Sequence, residues 1–296
     1  MFKFIKKNIK KYIPYYSDLN KRNKYINIAS ASLRNKSNSS CEKEIFEFIR
    51  SSPKVNIVCN ESKEIIQSLR FKSKEIFSLN KNNAKFKVAT NKEEKLLETF
   101  STEVLEEEIY RFVVDPINFI PEVLDLVLTE SFTNTFSNIN SLKLANIHLR
   151  LSTPNSFEKH TTGFHRDYNS FNTLKVFIPL TENNNEDFLE YFSSTILKST
   201  KNLHYRPRHI PLNKLKNKYR NLKPDRVGKD DNVFPLVSTN CIHREIPSKT
   251  KKITLILTFL AHPDYGYYKP IFHYKKHDKY YKKLQNNKFL SLIEFK

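Results

Sequence analysis

The sequence predicts a mainly β fold with flanking helices, and three observations carry that prediction. After Asn140 the apolar period changes from 3.6 to 2. Residues 142–151 alternate, with Ala145, Ile147, Leu149 and Leu151 on one face and Asn146, His148 and Arg150 on the other. A second run places Leu174, Val176, Ile178 and Leu180 on one face, and residues 188–192, 232–243 and 252–260 continue the strand pattern. Ahead of these, Leu96, Leu97, Phe100, Val104, Leu105, Ile109 and Phe112 recur at helical spacing, with Glu106, Glu107 and Glu108 on the wet side. Asp115-Pro116 ends that helix and opens another reaching about Phe132, because proline is tolerated in a first helical turn.

The remaining elements follow in order. Phe2, Ile5, Ile9 and Ile13 stand three and four apart among lysines, giving a basic amphipathic helix over residues 1–13. Such a helix packs on the domain or contacts a membrane surface, and packing is the commoner use. Residues 17–42 are rich in Ser, Asn and Lys and read as loop. Residues 41–50 read as a short helix, 54–59 as a strand and 61–70 as a second helix. An Asn-rich acidic turn spans 182–187, and 198–231 is a basic insertion holding Pro207, Pro211 and Pro224. The segment Glu245-Ile246-Pro247-Ser248 reads as a turn. Interleaved Tyr, Phe, His and Lys after Asp264 suit either stacking on single-stranded nucleic acid or packing against the domain, and packing is favoured.

Composition excludes several classes. The longest apolar run, about Ile253 to Ala261, is too short to cross a membrane, and the charged start lacks the apolar block of a secretory signal. An intracellular, cytoplasmic protein is expected. Cys41, Cys59 and Cys241 are isolated, so neither a disulfide scaffold nor a structural zinc site is expected. No GxSxG elbow, P-loop or GxGxxG cradle occurs. The net charge of +20 would attract polyanions, but with only three glycines and no tryptophan it also fits a Lys- and Asn-rich coding bias.

The chemistry concentrates in Gly163-Phe164-His165-Arg166-Asp167-Tyr168. On an extended chain residues i and i+2 share a face, so His165 and Asp167 can reach one metal ion. His-x-Asp or His-x-Glu occurs three times, at His165-Asp167, His243-Glu245 and His262-Asp264, so spacing alone does not choose. Context does. The first pair follows one of the few glycines and precedes a clean strand, Glu245 falls before Pro247, and His262 stands beside a proline where the last strand ends. The coherent set is His165, Asp167 and, on a later strand, His243. Two neutral imidazoles and one carboxylate on one face of an octahedral ion leave three positions open.

Over residues 142–262 this arrangement resembles the iron(II) and 2-oxoglutarate-dependent dioxygenases, and within them the phytanoyl-CoA dioxygenase group. The matching features are His165-x-Asp167, the strand Leu174 to Thr181, the distal His243 and a basic residue opening the strand Lys252 to Phe259. The resemblance implies a double-stranded β-helix, a cupin-like jelly-roll, within a helix-buttressed domain at 91–262. Residues 1–90 would then be an accessory segment and 263–296 a basic aromatic extension. It implies Fe(II) held by His165, Asp167 and His243, with 2-oxoglutarate and O2 as co-substrates and hydroxylation of a small molecule as the outcome. A carboxylate ligand disfavours halogenation. The far carboxylate of 2-oxoglutarate would rest on Lys252, where the family usually has arginine, with Thr254 on the same strand face. Lys251, of opposite parity, and Lys175 are the alternatives. Asn146, His148 and Arg150 line the substrate or co-substrate side by strand alternation. The competing expectation is a catalytically inactive jelly-roll whose basic surface binds a polyanion such as nucleic acid.

Overall fold

The computed structural model describes residues 55–60, 62–78, 110–114, 116–118, 120–137, 143–152, 154, 163–166, 173–181, 188–195, 210, 215, 217, 221, 223–228, 233–239, 241–260 and 280. The amphipathic segment 1–13, the helix expected at 41–50, Asp167, His262 and all of the C-terminal extension except Tyr280 lie outside them. Nine strands are described: β1 (Val55–Val58), β2 (Tyr110–Val114), β3 (Lys143–Ser152), β4 (Thr173–Pro179), β5 (Leu189–Phe192), β6 (Asp225–Val227), β7 (Val233–Ser238), β8 (Ile242–Glu245) and β9 (Lys252–Leu260). The helices are α1 (Ser62–Ser78), α2 (Glu122–Val127) and α3 (Glu130–Ser137), with short 3-10 turns at Pro116–Asn118 and Ser193–Thr195.

The strands form two antiparallel sheets, a larger one in the order β1-β7-β4-β9-β3-β2 and a smaller one in the order β6-β5-β8. Strand alternation sorts the larger sheet into two faces. Ile147, Leu149 and Leu151 of β3, Leu174, Val176 and Ile178 of β4, and Ile253, Leu255, Leu257 and Phe259 of β9 all join the main core. An irregularity between Leu144 and Asn146 shifts the β3 register and lets Leu144 join that core as well. The helices cover this face: Ile66, Leu69 and Ile76 of α1 and Phe132 and Phe136 of α3 are buried in it. Phe136 stacks on Phe259 with ring centroids 4.5 Å apart. Tyr280 closes the cluster, its Oη donating to Asp125 of α2 at 2.5 Å.

The opposite face of the larger sheet meets the smaller one. Phe177, Val237 and Ile256 pack there against Leu189, Tyr191 and Cys241, forming an apolar floor between the sheets. Residues 55–78, which the sequence reading assigned to an accessory segment, supply strand β1, paired with β7, and helix α1 on the core. Among the described residues no helix is long and apolar enough to cross a membrane.

Four local expectations need correction. Residues 110–112 do not end a helix; the aromatic and β-branched run Tyr-Arg-Phe-Val-Val pairs with β3 as β2. The helix expected from Pro116 to Phe132 is instead a 3-10 turn and two helices, and it extends to Ser137. Thr129 breaks it, its hydroxyl donating to the Leu126 carbonyl at 2.8 Å. The strand expected over 232–243 is two strands in different sheets, turned at Cys241, whose N–H donates to the Ser238 carbonyl at 3.1 Å. Glu245 is the last residue of β8 rather than part of a turn.

Candidate metal centre

His243 lies mid-strand in β8 because its neighbours are committed to the other face. Arg244 donates to Glu190 at 2.8 Å and its guanidinium lies 4.1 Å from the centre of the Phe164 ring. Ile242 is buried with Phe164, Phe192 and Leu215. Cys241, His243 and Glu245, of opposite parity, therefore face the larger sheet.

The segment Gly163 to Arg166 is drawn alongside β8. His165 N–H donates to the His243 carbonyl at 3.0 Å and His243 N–H returns the bond to the His165 carbonyl at 3.0 Å. Such reciprocal bonds mark directly opposed residues of an antiparallel pair, whose side chains share a face. Arg166 secures the segment by donating to the Thr195 carbonyl at 3.2 Å, while the Thr195 hydroxyl accepts from Ile242 N–H at 2.8 Å.

The two imidazoles are held by the same device. Each Nδ1 lies close to the carbonyl two residues upstream, at 2.8 Å from Gly163 O for His165 and 3.0 Å from Cys241 O for His243. A carbonyl only accepts, so each Nδ1 carries the proton and each Nε2 the lone pair. This is the second-sphere arrangement of metal-binding histidines. The ring centroids are 4.4 Å apart. Two imidazoles bound cis to one octahedral ion, with metal–nitrogen distances of about 2.1 Å, would place their centroids about 4.5 Å apart, so the pair fits a shared ion. Among the described residues no group of three His, Cys, Asp or Glu side chains assembles, the expected carboxylate Asp167 lying outside them.

The facing strands are polar. Lys252 and Thr254 are both buried on β9, on the face opposite Ile253 and Leu255, and Lys252 Nζ donates to the Ile246 carbonyl at 3.2 Å. Lys251 precedes the strand and is exposed. Arg150, directly opposite Thr254 on β3, crosses to the smaller sheet and pairs with Glu245 at 2.8 Å, both side chains less than a tenth exposed. Glu245 also accepts from the Ser152 hydroxyl at 2.7 Å. Burial, then the charges of Lys175 and Arg150, push His148 down to about 3, so it is neutral near pH 7. Tyr191, the cross-strand neighbour of His243 on β5, is raised to about 12 by burial and then by Asp225 and Cys241, so its phenol stays protonated.

The structure thus sets His165 opposite His243 beside β8, and places Lys252 and Thr254 buried on β9 of the larger sheet. Two residues beyond the sequence candidates stand here: Tyr191, and Glu245, which the His-x-Glu match at His243 includes but the turn before Pro247 sets aside; strand parity from Phe188 and from His243 locates both.

No protein-family model and no curated protein matches the chain. Among solved structures it is similar to the non-heme alpha ketoglutarate dependent carbocyclase SnoK from nogalamycin biosynthesis, at 16% identity and TM-score 0.46, over 73% of this chain and 83% of that one. It is similar to the epimerase SnoN in complex with Fe3+, alpha ketoglutarate and nogalamycin RO, at 8% identity and TM-score 0.48, over 74% and 82%. A third is EctD from S. alaskensis with 2-oxoglutarate and 5-hydroxyectoine, at 11% identity and TM-score 0.47, over 70% and 72%. Likenesses this distant carry no weight for the reaction, which has to be read from the residues.

Proposed function

We propose that the chain is a non-haem iron(II), 2-oxoglutarate-dependent oxygenase of the phytanoyl-CoA dioxygenase type, built on a double-stranded β-helix and hydroxylating a small-molecule substrate. The observation that carries this reading is the reciprocal His165–His243 bridge, with both Nδ1 atoms committed to carbonyls two residues upstream. Asp167, two residues after His165, supplies the third ligand. These residues would hold iron(II), which when bound would supply oxygen activation coupled to oxidative decarboxylation of a 2-oxo acid.

The chain's own residues do the rest. The carbonyls of Gly163 and Cys241 fix the tautomer and orientation of the two rings, so binding an ion requires little rearrangement. Lys252, buried on the facing strand, holds the far carboxylate of the co-substrate, with Thr254 beside it as a hydrogen-bond donor. The floor of Phe177, Ile256 and Tyr191 excludes water from the β5 side.

The test is succinate formation from 2-oxoglutarate by purified protein with iron(II) and ascorbate. The reading expects uncoupled turnover that Asp167→Ala abolishes and His262→Ala leaves intact. No succinate above a metal-free control, with salt-sensitive retention on nucleic acid, favours the inactive binding protein instead.

A further inference from the structure

Among the described residues two lysines face the space between the sheets, and they stand at opposite ends of it. Lys252 opens β9, whereas Lys175 lies directly opposite Thr258, near the close of the same strand. Lys175 shares strand parity with Phe177 and is paired with Val237, both of which line the apolar floor. Its charge also bears on His148, which faces the same space from β3. Six residues of extended chain separate Lys252 from Thr258, about 20 Å. A five-carbon diacid spans roughly 5 Å between its carboxyl carbons, so a co-substrate held at Lys252 does not reach Lys175.

The two imidazoles lie between these ends. Glu245, closing β8, is tied to Arg150 and Ser152, the partners of Thr254 and Lys252 on β9. Cys241, just ahead of β8, packs in one cluster with Val237, the partner of Lys175. His243 stands midway. Lys252 is 3% exposed and Lys175 half-buried, so the Lys175 end is the one open to an entering molecule.

The side chains at that end specify what enters. Lys175 offers one ammonium and Thr258, 4% exposed, one hydroxyl, a pair that matches a singly charged carboxylate; a phosphate dianion would keep one charge desolvated and unmatched. From there toward His243 the lining is Val237, Phe177 and Ile256, which suits hydrocarbon. We infer that the substrate is a carboxylic acid with an apolar body, its carboxylate received by Lys175 and Thr258 and its hydrocarbon laid along Val237, Phe177 and Ile256 toward the metal pair. Lys175 is thus a specificity-determining residue for the substrate and not an anchor for the co-substrate. This rests on the iron and 2-oxoglutarate reading above.

The experiment loads the full chain with manganese(II), saturates it with 2-oxoglutarate, and follows the paramagnetic relaxation of added hexanoate, hexan-1-ol and inorganic phosphate by nuclear magnetic resonance, which detects weak binding near the ion. Wild type is expected to bind hexanoate at least about tenfold more tightly than hexan-1-ol, and more tightly than phosphate. Lys175→Met, its fold verified by thermal melting, should lose about tenfold or more in hexanoate affinity while 2-oxoglutarate affinity changes by less than about threefold. Lys175→Arg should retain hexanoate binding, and Thr258→Val, which keeps the charge, should show a smaller loss than Lys175→Met. Hexanoate affinity unchanged in Lys175→Met, no preference of wild type for hexanoate over hexan-1-ol or phosphate, or a tenfold loss of 2-oxoglutarate affinity in Lys175→Met each overturns the inference and leaves the oxygenase reading standing. Wild type that binds manganese but not 2-oxoglutarate overturns both.

Discussion

Glu245→Ala is the most informative single change for the architecture. It leaves the Arg150 guanidinium, 8% exposed, without its countercharge and the buried Ser152 hydroxyl without its acceptor. Breaking a buried pair by removing one partner costs about 3–5 kcal/mol, because the remaining charge stays desolvated. At about 2–4 °C per kcal/mol for a chain of this size, the melting temperature should fall by roughly 6–20 °C. Removing both charges as Arg150→Met with Glu245→Met leaves no stranded charge, and such replacements are often neutral, so stability should return to within about 1 kcal/mol of wild type. Urea unfolding of Arg150→Met, Glu245→Met and the double completes a mutant cycle. If Glu245→Ala costs less than about 1 kcal/mol, or the double variant is no better than the single, the pair is not the buried inter-sheet contact described above.

Three further outcomes follow from named contacts. Leu257→Ala, at a fully buried position on β9, should cost about 2–5 kcal/mol by urea denaturation, since the central strand cannot collapse onto the cavity. Tyr280→Phe removes the bond to Asp125 and should cost about 1 kcal/mol, whereas Tyr280→Ala, which also empties the core, should cost about 3–5 kcal/mol. For His148 the folded pKa of about 3 lies below the ordinary 6.5, so as pH falls the unfolded chain takes up the proton first. The stability present above pH 6.5 is therefore lost progressively as pH drops towards 3, and urea midpoints for His148→Gln should fall less steeply over that window than those of wild type.

Where the signal was local, the sequence was legible. Strands β3, β4 and β9 each alternate over seven or more residues, and their apolar parity predicted which face would be buried. The same parity put Arg150 and His148 on the polar side and preferred Lys252 to Lys251. Features set by distant partners were hidden. Strand β2 is five residues whose Phe112 also continues a helical spacing, and only pairing with β3 decides between them. The break between β7 and β8 falls at Ser238 to Cys241, where no glycine or proline marks a turn. Strand β6, three residues inside a proline-bearing basic insertion, owes its place to β5. Glu245 was assigned to a turn because Pro247 follows, although pairing with Leu189 carries the strand through it. The Nδ1 bonds of His165 and His243 depend on where carbonyls fall after folding, which no spacing reveals.

The central claim is that His165 and His243, with Asp167, hold one iron(II) ion with room for a 2-oxo acid. Anaerobic titration of iron(II)-loaded protein with 2-oxoglutarate, followed by visible absorbance, tests it most directly. The account predicts a weak visible band that requires both components and disappears in His243→Ala and in Asp167→Ala. No band in wild type, or an undiminished band in His243→Ala, would contradict it.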